Sequence, residues 1–170
     1  MSNENTKIIS YIIKKYGPIK GKKAFQKIFY FLTENGIPTG LTYSLYHYGP
    51  YSSKLDTLTE QFELNGAIKL IQKGIGYELI QGDKVDDILS ENKDEKTKDI
   101  DFILDNLPLD NPLQLELLST THYAAKVQKE IYDETDIEEV VKEVKRIKKS
   151  KFTEDNIKWS YEYLQNLKWI

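Results

Sequence analysis

The sequence predicts an α+β, mainly helical fold: a winged-helix-like core, made of helices plus a short β-hairpin, followed by a C-terminal helical extension. Three observations carry this. Apolar residues recur at three-to-four spacing through most of the chain, Gly, Pro and Asn-Gly punctuate those stretches, and one helical stretch runs directly into two short strands joined by a glycine-bearing turn. The 170 residues fit one domain. Within residues 1–170 the pattern divides into a winged-helix-like part at 1–81, a charged linker at 82–99 and a helical part at 100–170.

The first helix is predicted from Thr6 to Tyr16, where Ile8, Ile9, Ile12, Ile13 and Tyr16 share a face before Gly17-Pro18 stops the pattern. A second runs from Gly21 to Glu34, with Ala24, Phe25, Ile28, Phe29, Phe31 and Leu32 as a broad core stripe closed by Asn35-Gly36. "LTYSLYHY" then sets Leu41, Tyr43, Leu45 and His47 against Thr42, Ser44, Tyr46 and Tyr48, the period of a strand, which Gly49-Pro50 should end. Ser52 or Ser53 caps a third helix, Lys54 to Leu64, facing the core through Leu55, Leu58 and Phe62. Ala67 to Ile71 and Gly76 to Ile80 read as the hairpin. Residues 82–99 are polar and charged, a linker or a weakly packed helix.

Ile100, Ile103, Leu104 and Leu107 predict a short amphipathic helix ended by Pro108. Asn111-Pro112 is a strong start signal for the next, because proline at the first helical position sacrifices no hydrogen bond. That helix reaches about Ile131 and carries two stripes, Leu113/Leu117/Ala124/Val127 and Leu115/Leu118/Ala125, so it should lie centrally. Thr135 and Glu138 suggest a capping box ahead of Ile137, Val140, Val141, Val144 and Ile147. Thr153 caps a last helix that points Ile157, Tyr161 and Leu164 inward. The expected core includes Phe25, Ile28, Phe29, Leu32, Leu55, Leu58, Leu117, Val140, Val144 and Tyr161.

With 39% hydrophobic and 12% aromatic residues the chain can bury a core and is not disordered in composition. It has no cysteine, which removes disulfides, thiolate nucleophiles and Cys-based zinc sites, and suits a reducing cytoplasm. The polar start MSNENTKIIS and the lack of a long apolar run predict neither export nor membrane insertion. Charge is unevenly spread: residues 1–54 hold eight lysines against two glutamates, and residues 83–110 hold ten acids against four lysines. Either the two segments neutralise each other across the surface, or the fold separates them into a basic face that attracts nucleic acid or acidic protein.

The catalytic inventory is thin. His47 and His122 are the only histidines, both on apolar faces, with no i, i+4 pair and no HExxH; they read as structural. Ser52-Ser53 and Ser119-Thr120-Thr121 lack a nucleophile elbow or an adjacent base, and Gly74 and Gly76 fit a turn rather than a phosphate loop. No enzyme activity, no cofactor and no metal are expected. Two features fit binding instead. The aromatic strand and turn offers Tyr46, Tyr48 and Tyr51, the residue type enriched at interfaces. The run "KRIKKSK" at 145–151 either holds phosphates or complements the dipole at a helix end.

The stretches "KKAFQKIFYFL", "LYHYGPYSSKL", "LELLSTTHYA" and "EEVVKEVKRIKKSKFTEDNIKWSYEYL" together resemble the YwgA-type proteins, relatives of the SocA-like antitoxin group now called the Panacea domain. The resemblance spans about Gly21 to Leu164. It implies a helical fold with a small winged-helix-like hairpin and, on the Panacea side, neutralisation of a toxin by direct protein contact; it brings no catalytic residue. The first function expected is therefore a binding module with a protein partner, a toxin in the antitoxin case, engaged through Tyr46, Tyr48 and Tyr51. The second is a winged-helix DNA-binding regulator, resting on Lys20, Lys22, Lys23, Lys27 and Lys54. There the helix before the hairpin would face the major groove with Lys54 and Gln61 but also Asp56, Glu60 and Glu63, a poor charge balance against phosphates.

Overall fold

A computed structural model describes residues 2–91, 96–133 and 136–170. In chain order the elements are α1 (Ser2–Tyr16), α2 (Lys22–Glu34), β1 (Ser44–Tyr46), β2 (Gly49–Tyr51), α3 (Ser53–Leu64), β3 (Ile68–Lys73), β4 (Gly76–Gln81), α4 (Val85–Ser90), α5 (Thr97–Asp105), α6 (Pro112–Tyr132), α7 (Ile137–Lys148) and α8 (Glu154–Asn166). The fold is α+β and mainly helical, with two antiparallel hairpins, β1–β2 and β3–β4. Ile19, between α1 and α2, exchanges both backbone hydrogen bonds with Leu79 of β4 at 2.9 Å and so extends the second hairpin by one bridge. The chain thus runs helix, bridge, helix, hairpin, helix and hairpin, so the β1–β2 hairpin is inserted before the helix and hairpin expected of a winged-helix-like core.

The core has two parts, and α6 divides them. One joins α1, α2, α3, the β3–β4 hairpin and α5 to Leu115 and Leu118 of α6; the other joins Leu117, Ala124 and Ala125 of α6 to α7, Phe152 and α8. The helix does present two apolar sides, but Ala125 packs with Leu117 and Ala124 rather than with Leu115 and Leu118, and Leu113 at its first turn is exposed. Asn111 caps α6 by accepting from the Gln114 N–H, Ser52 caps α3 through the Leu55 N–H, and Thr153 caps α8 through the Asn156 N–H. Of the expected core, all are buried except Leu58, which is half-buried.

The structure corrects three local expectations. Gly49-Pro50 does not end a strand: it forms the return strand of a hairpin, with Tyr46 opposite Gly49 and His47-Tyr48 as the turn. At a tight turn the period-two alternation breaks, so His47 is exposed rather than inward. Residues 82–99 are more than a linker, since α4 packs on α1 and its Val85 is fully buried, while residues 92–95 lie outside the described ones. Thr135 also lies outside them; the N-cap of α7 is Asp136, whose carboxylate accepts from the Glu138 N–H.

Much of the charge asymmetry is resolved by pairing. Lys14 meets Asp86 at 2.5 Å, Lys15 meets Asp101 at 2.6 Å, and Lys20 lies 3.9 Å from Asp110. Asp101 also accepts from the hydroxyls of Tyr11 and Tyr16; these donors and Lys15 hold its carboxyl below the usual range against the opposing effect of desolvation. The acidic middle of the chain therefore covers the basic side of α1. Among the described residues no carboxylate of that segment pairs with Lys22 or Lys23, which are exposed at the start of α2.

Candidate functional site

The β1–β2 hairpin is too short to be stable by its own ladder. It is held from behind, at four points, by side chains of α2, α6 and α7. Gln26 bonds the Ser52 backbone twice, Nε2 donating to its carbonyl at 2.9 Å and Oε1 accepting from its N–H at 2.8 Å. Lys27 Nζ donates to the Pro50 carbonyl at 2.8 Å, and Lys148 Nζ donates to the His47 carbonyl. Gly49, at φ 100°, lies flat on α6, where an added Cβ would sit 2.9 Å from Thr120 Oγ1. Only glycine satisfies both the conformation and the approach.

Behind the hairpin the charges form a compact group. Glu116 of α6 is buried and paired with Lys148 at 3.2 Å and Lys151 at 2.7 Å. Lys27 is also buried, and desolvation together with Lys148 and Lys23 lowers its ammonium pKa to about 8 against the pull of Glu116. Burial lowers Lys148 as well. Lys23 lies 3.2 Å from the ring centroid of Tyr48, with Lys151 at 5.6 Å. Three ammonium groups, those of Lys23, Lys148 and Lys151, thus lie within about 6 Å of the Tyr48 ring, and Lys27, Lys148 and Lys151 feel the buried carboxylate of Glu116.

Between the hairpin, the start of α2 and α3 lies a cavity of about 240 Å³ lined by Phe25, Gln26, Lys27, Tyr46, Tyr48, Gly49 and Tyr51, with Lys22, Lys23 and Asp56 also in its wall. Tyr46 and Tyr48 are 54% and 47% exposed, and Tyr46 meets Tyr51 edge to face at 5.0 Å. All three candidate tyrosines therefore come together. Of the candidate lysines, Lys22, Lys23 and Lys27 line the same cavity; Lys20 pairs with Asp110, and Lys54 donates to the Gly40 carbonyl. Lys27 is corrected in role, because it is buried under the hairpin and cannot reach a phosphate backbone.

Gln26 and Gly49 were not singled out from the sequence as site residues, and Lys148 and Lys151 only as members of the basic run 145–151. A signal existed for Lys148: it continues the Val141 and Val144 stripe of α7 at helical spacing, so its stem had to pass inward. The histidines do not meet. His122 is buried with Nδ1 2.6 Å from the Tyr30 hydroxyl and Nε2 2.8 Å from the Trp169 carbonyl, whereas His47 is in the exposed turn. Among the described residues no group of three or more His, Asp or Glu side chains is arranged to hold a metal, and no helix is long and apolar enough to cross a membrane. No family model matches the sequence, and no curated protein matches it.

Proposed function

We propose that this protein is a non-enzymatic, cytoplasmic binding module of the antitoxin type, acting by direct contact with a protein partner at Tyr46, Tyr48 and Tyr51. The observation that carries this is the fastening of the short hairpin's backbone by Lys27 and Lys148, beside Gln26 on Ser52, under an exposed aromatic cluster. Two exposed tyrosines over a cavity bind at low entropic cost when the backbone beneath them is already fixed. The stretches that resemble the Panacea group fall on the elements that build this face, namely α2, the hairpin, α6 and α7. Both ring nitrogens of His122 are engaged inside the core, so it is a structural group in this proposal.

The test is recovery of a partner from the native host with wild-type protein and with Tyr48→Ala and Tyr51→Ala. One protein recovered by the wild type and lost by the variants, with the melting curves unchanged, is the expected result; recovery indifferent to Tyr48 and Tyr51 overturns the proposal. The second possibility, DNA binding, is favoured by one observation: Lys22 and Lys23 are exposed beside Tyr77 of the wing, Lys22 lying 4.8 Å over its ring. Against it, Asp56, Glu60 and Glu63 are exposed on α3, the helix that would enter the groove. Duplex binding that falls steeply with salt and is lost on charge reversal at Lys22 and Lys23 would establish it.

A further inference from the structure

We infer that the occupant of the cavity at the aromatic hairpin is an acidic peptide segment of the partner, which inserts one aromatic or aliphatic side chain and sets its carboxylates against Lys22 and Lys23. This rests on the protein-binding proposal above and adds the chemistry of the partner. The cavity, about 240 Å³, is smaller than the roughly 300–1,000 Å³ usual for a small-molecule site, and fits one large side chain better than a whole cofactor. Its walls are the rings of Phe25, Tyr46, Tyr48 and Tyr51, which favour an apolar insert.

The sign of the partner follows from the charges. At the Tyr48 end, Lys27, Lys148 and Lys151 gather around Glu116 as their buried counter-ion, and Lys23 lies over the Tyr48 ring beside them. Two of these lysines spend their ammonium groups on backbone carbonyls of the hairpin, and Lys151 is held by Glu116. Lys22 and Lys23 are left at the rim over aromatic rings, which do not neutralise them. Asp56, also in the wall, interacts with Tyr51. The cavity is therefore positive at Tyr48 and negative at Tyr51, so an acidic segment is oriented as well as attracted. A nucleic acid is disfavoured because the exposed carboxylates of Asp56, Glu60 and Glu63 follow the hairpin directly on α3.

The experiment is selection from a displayed library of random linear peptides on the full chain, followed by titration of the enriched peptides against wild type, Tyr48→Ala, Lys23→Gln and Lys23→Glu. Both residues are exposed, and thermal melts check that each variant folds. The expected result is an acidic consensus with an aromatic or aliphatic residue, lost on Tyr48→Ala and weakened about tenfold on Lys23→Glu, with Lys23→Gln between. An uncharged or basic consensus that still requires Tyr48 overturns this inference and leaves the protein-binding proposal standing. Peptides indifferent to Tyr48, or no enrichment, overturn both. Displacement of the peptides by duplex DNA, sensitive to Lys23 but not to Tyr48, overturns it in favour of a polyphosphate ligand.

Discussion

The two hairpins of this protein solve the same problem by opposite means. β3–β4 has six paired positions, an added bridge from Ile19, and a tip at Gly74-Ile75 that touches nothing else. β1–β2 has three paired positions and takes its rigidity from other elements: Gln26, Lys27, Lys148 and the flat contact of Gly49 with α6. A long ladder can leave its end in solvent. A short one must be bound to the body, and side chains projecting from its far face are then fixed with it. This is why the protein-binding proposal places the contact on the shorter hairpin and not on the wing.

The sharpest way to break the comparison is to put the same change, glycine to alanine, into both hairpins. At Gly49, alanine would combine a φ of 100° with a Cβ 2.9 Å from Thr120 Oγ1, and we expect a loss of about 3 kcal/mol from strain and overpacking together. At Gly74, φ is 61° with open space around it, so Gly74→Ala should cost only about 1 kcal/mol. Urea denaturation of both variants checks this. Equal effects would mean that the short hairpin is not pinned on α6.

Lys148→Ala comes next. It removes the donor to the His47 carbonyl and one of the two partners of buried Glu116. Breaking a buried pair costs about 3 kcal/mol, and Lys151, still 2.7 Å from Glu116, limits the loss here. The turn should loosen before the body unfolds, so hydrogen exchange at residues 46–49 is expected to rise more than exchange in β3–β4.

A pH series sharpens the same contrast. Lys27 in the folded protein is lowered to about 8 from its ordinary 10.5. Below pH 8 folding carries the full penalty of a buried ammonium. As pH rises from 8 toward 10.5 the folded state is the first to release the proton, so stability rises over that window. The complete shift corresponds to at most about 3 kcal/mol, and about 2 kcal/mol should appear between pH 8 and 10. Above pH 10 the trend reverses, because burial raises Tyr30 and Tyr43 and their contribution is lost as unfolded tyrosines ionise. Lys27→Met should flatten most of the slope, Lys148 supplying the remainder since burial shifts it in the same direction.

What the sequence disclosed differs between the hairpins for the same physical reason. The β3–β4 wing is local: its strands, turn glycine and preceding Asn65-Gly66 are contiguous, so propensity and turn chemistry define it. The anchors of β1–β2 come from α2, α6 and α7, and no local pattern couples Lys148 to His47 or Gly49 to Thr120. Tyr46, Tyr48 and Tyr51 were legible as a cluster because they are near in sequence. Lys27 was legible as a cation but not as a buried one, since its burial depends on a hairpin packed over it. The inward turn of Lys148 hid inside the basic run 145–151, where only Arg146, paired with Glu143, and the exposed lysines behave as a solvated helix end.

The smallest effect belongs to Ile75, the fully exposed apolar residue at the wing tip. Its side chain covers no neighbour, so Ile75→Ser should change stability by less than about 0.5 kcal/mol. In the protein-binding proposal it should also leave binding at Tyr48 unaltered, because the wing tip has no lining residue in the tyrosine cavity. A winged-helix regulator makes the opposite demand, for there the wing accompanies α3 onto the duplex and a change at its tip weakens the contact. Ile75→Ser and Tyr48→Ala, assayed side by side against the partner recovered from the host and against duplex DNA, therefore separate the two hairpins as binding elements. Partner binding lost only with Tyr48 assigns function to the clamped hairpin, and duplex binding lost only with Ile75 assigns it to the free one.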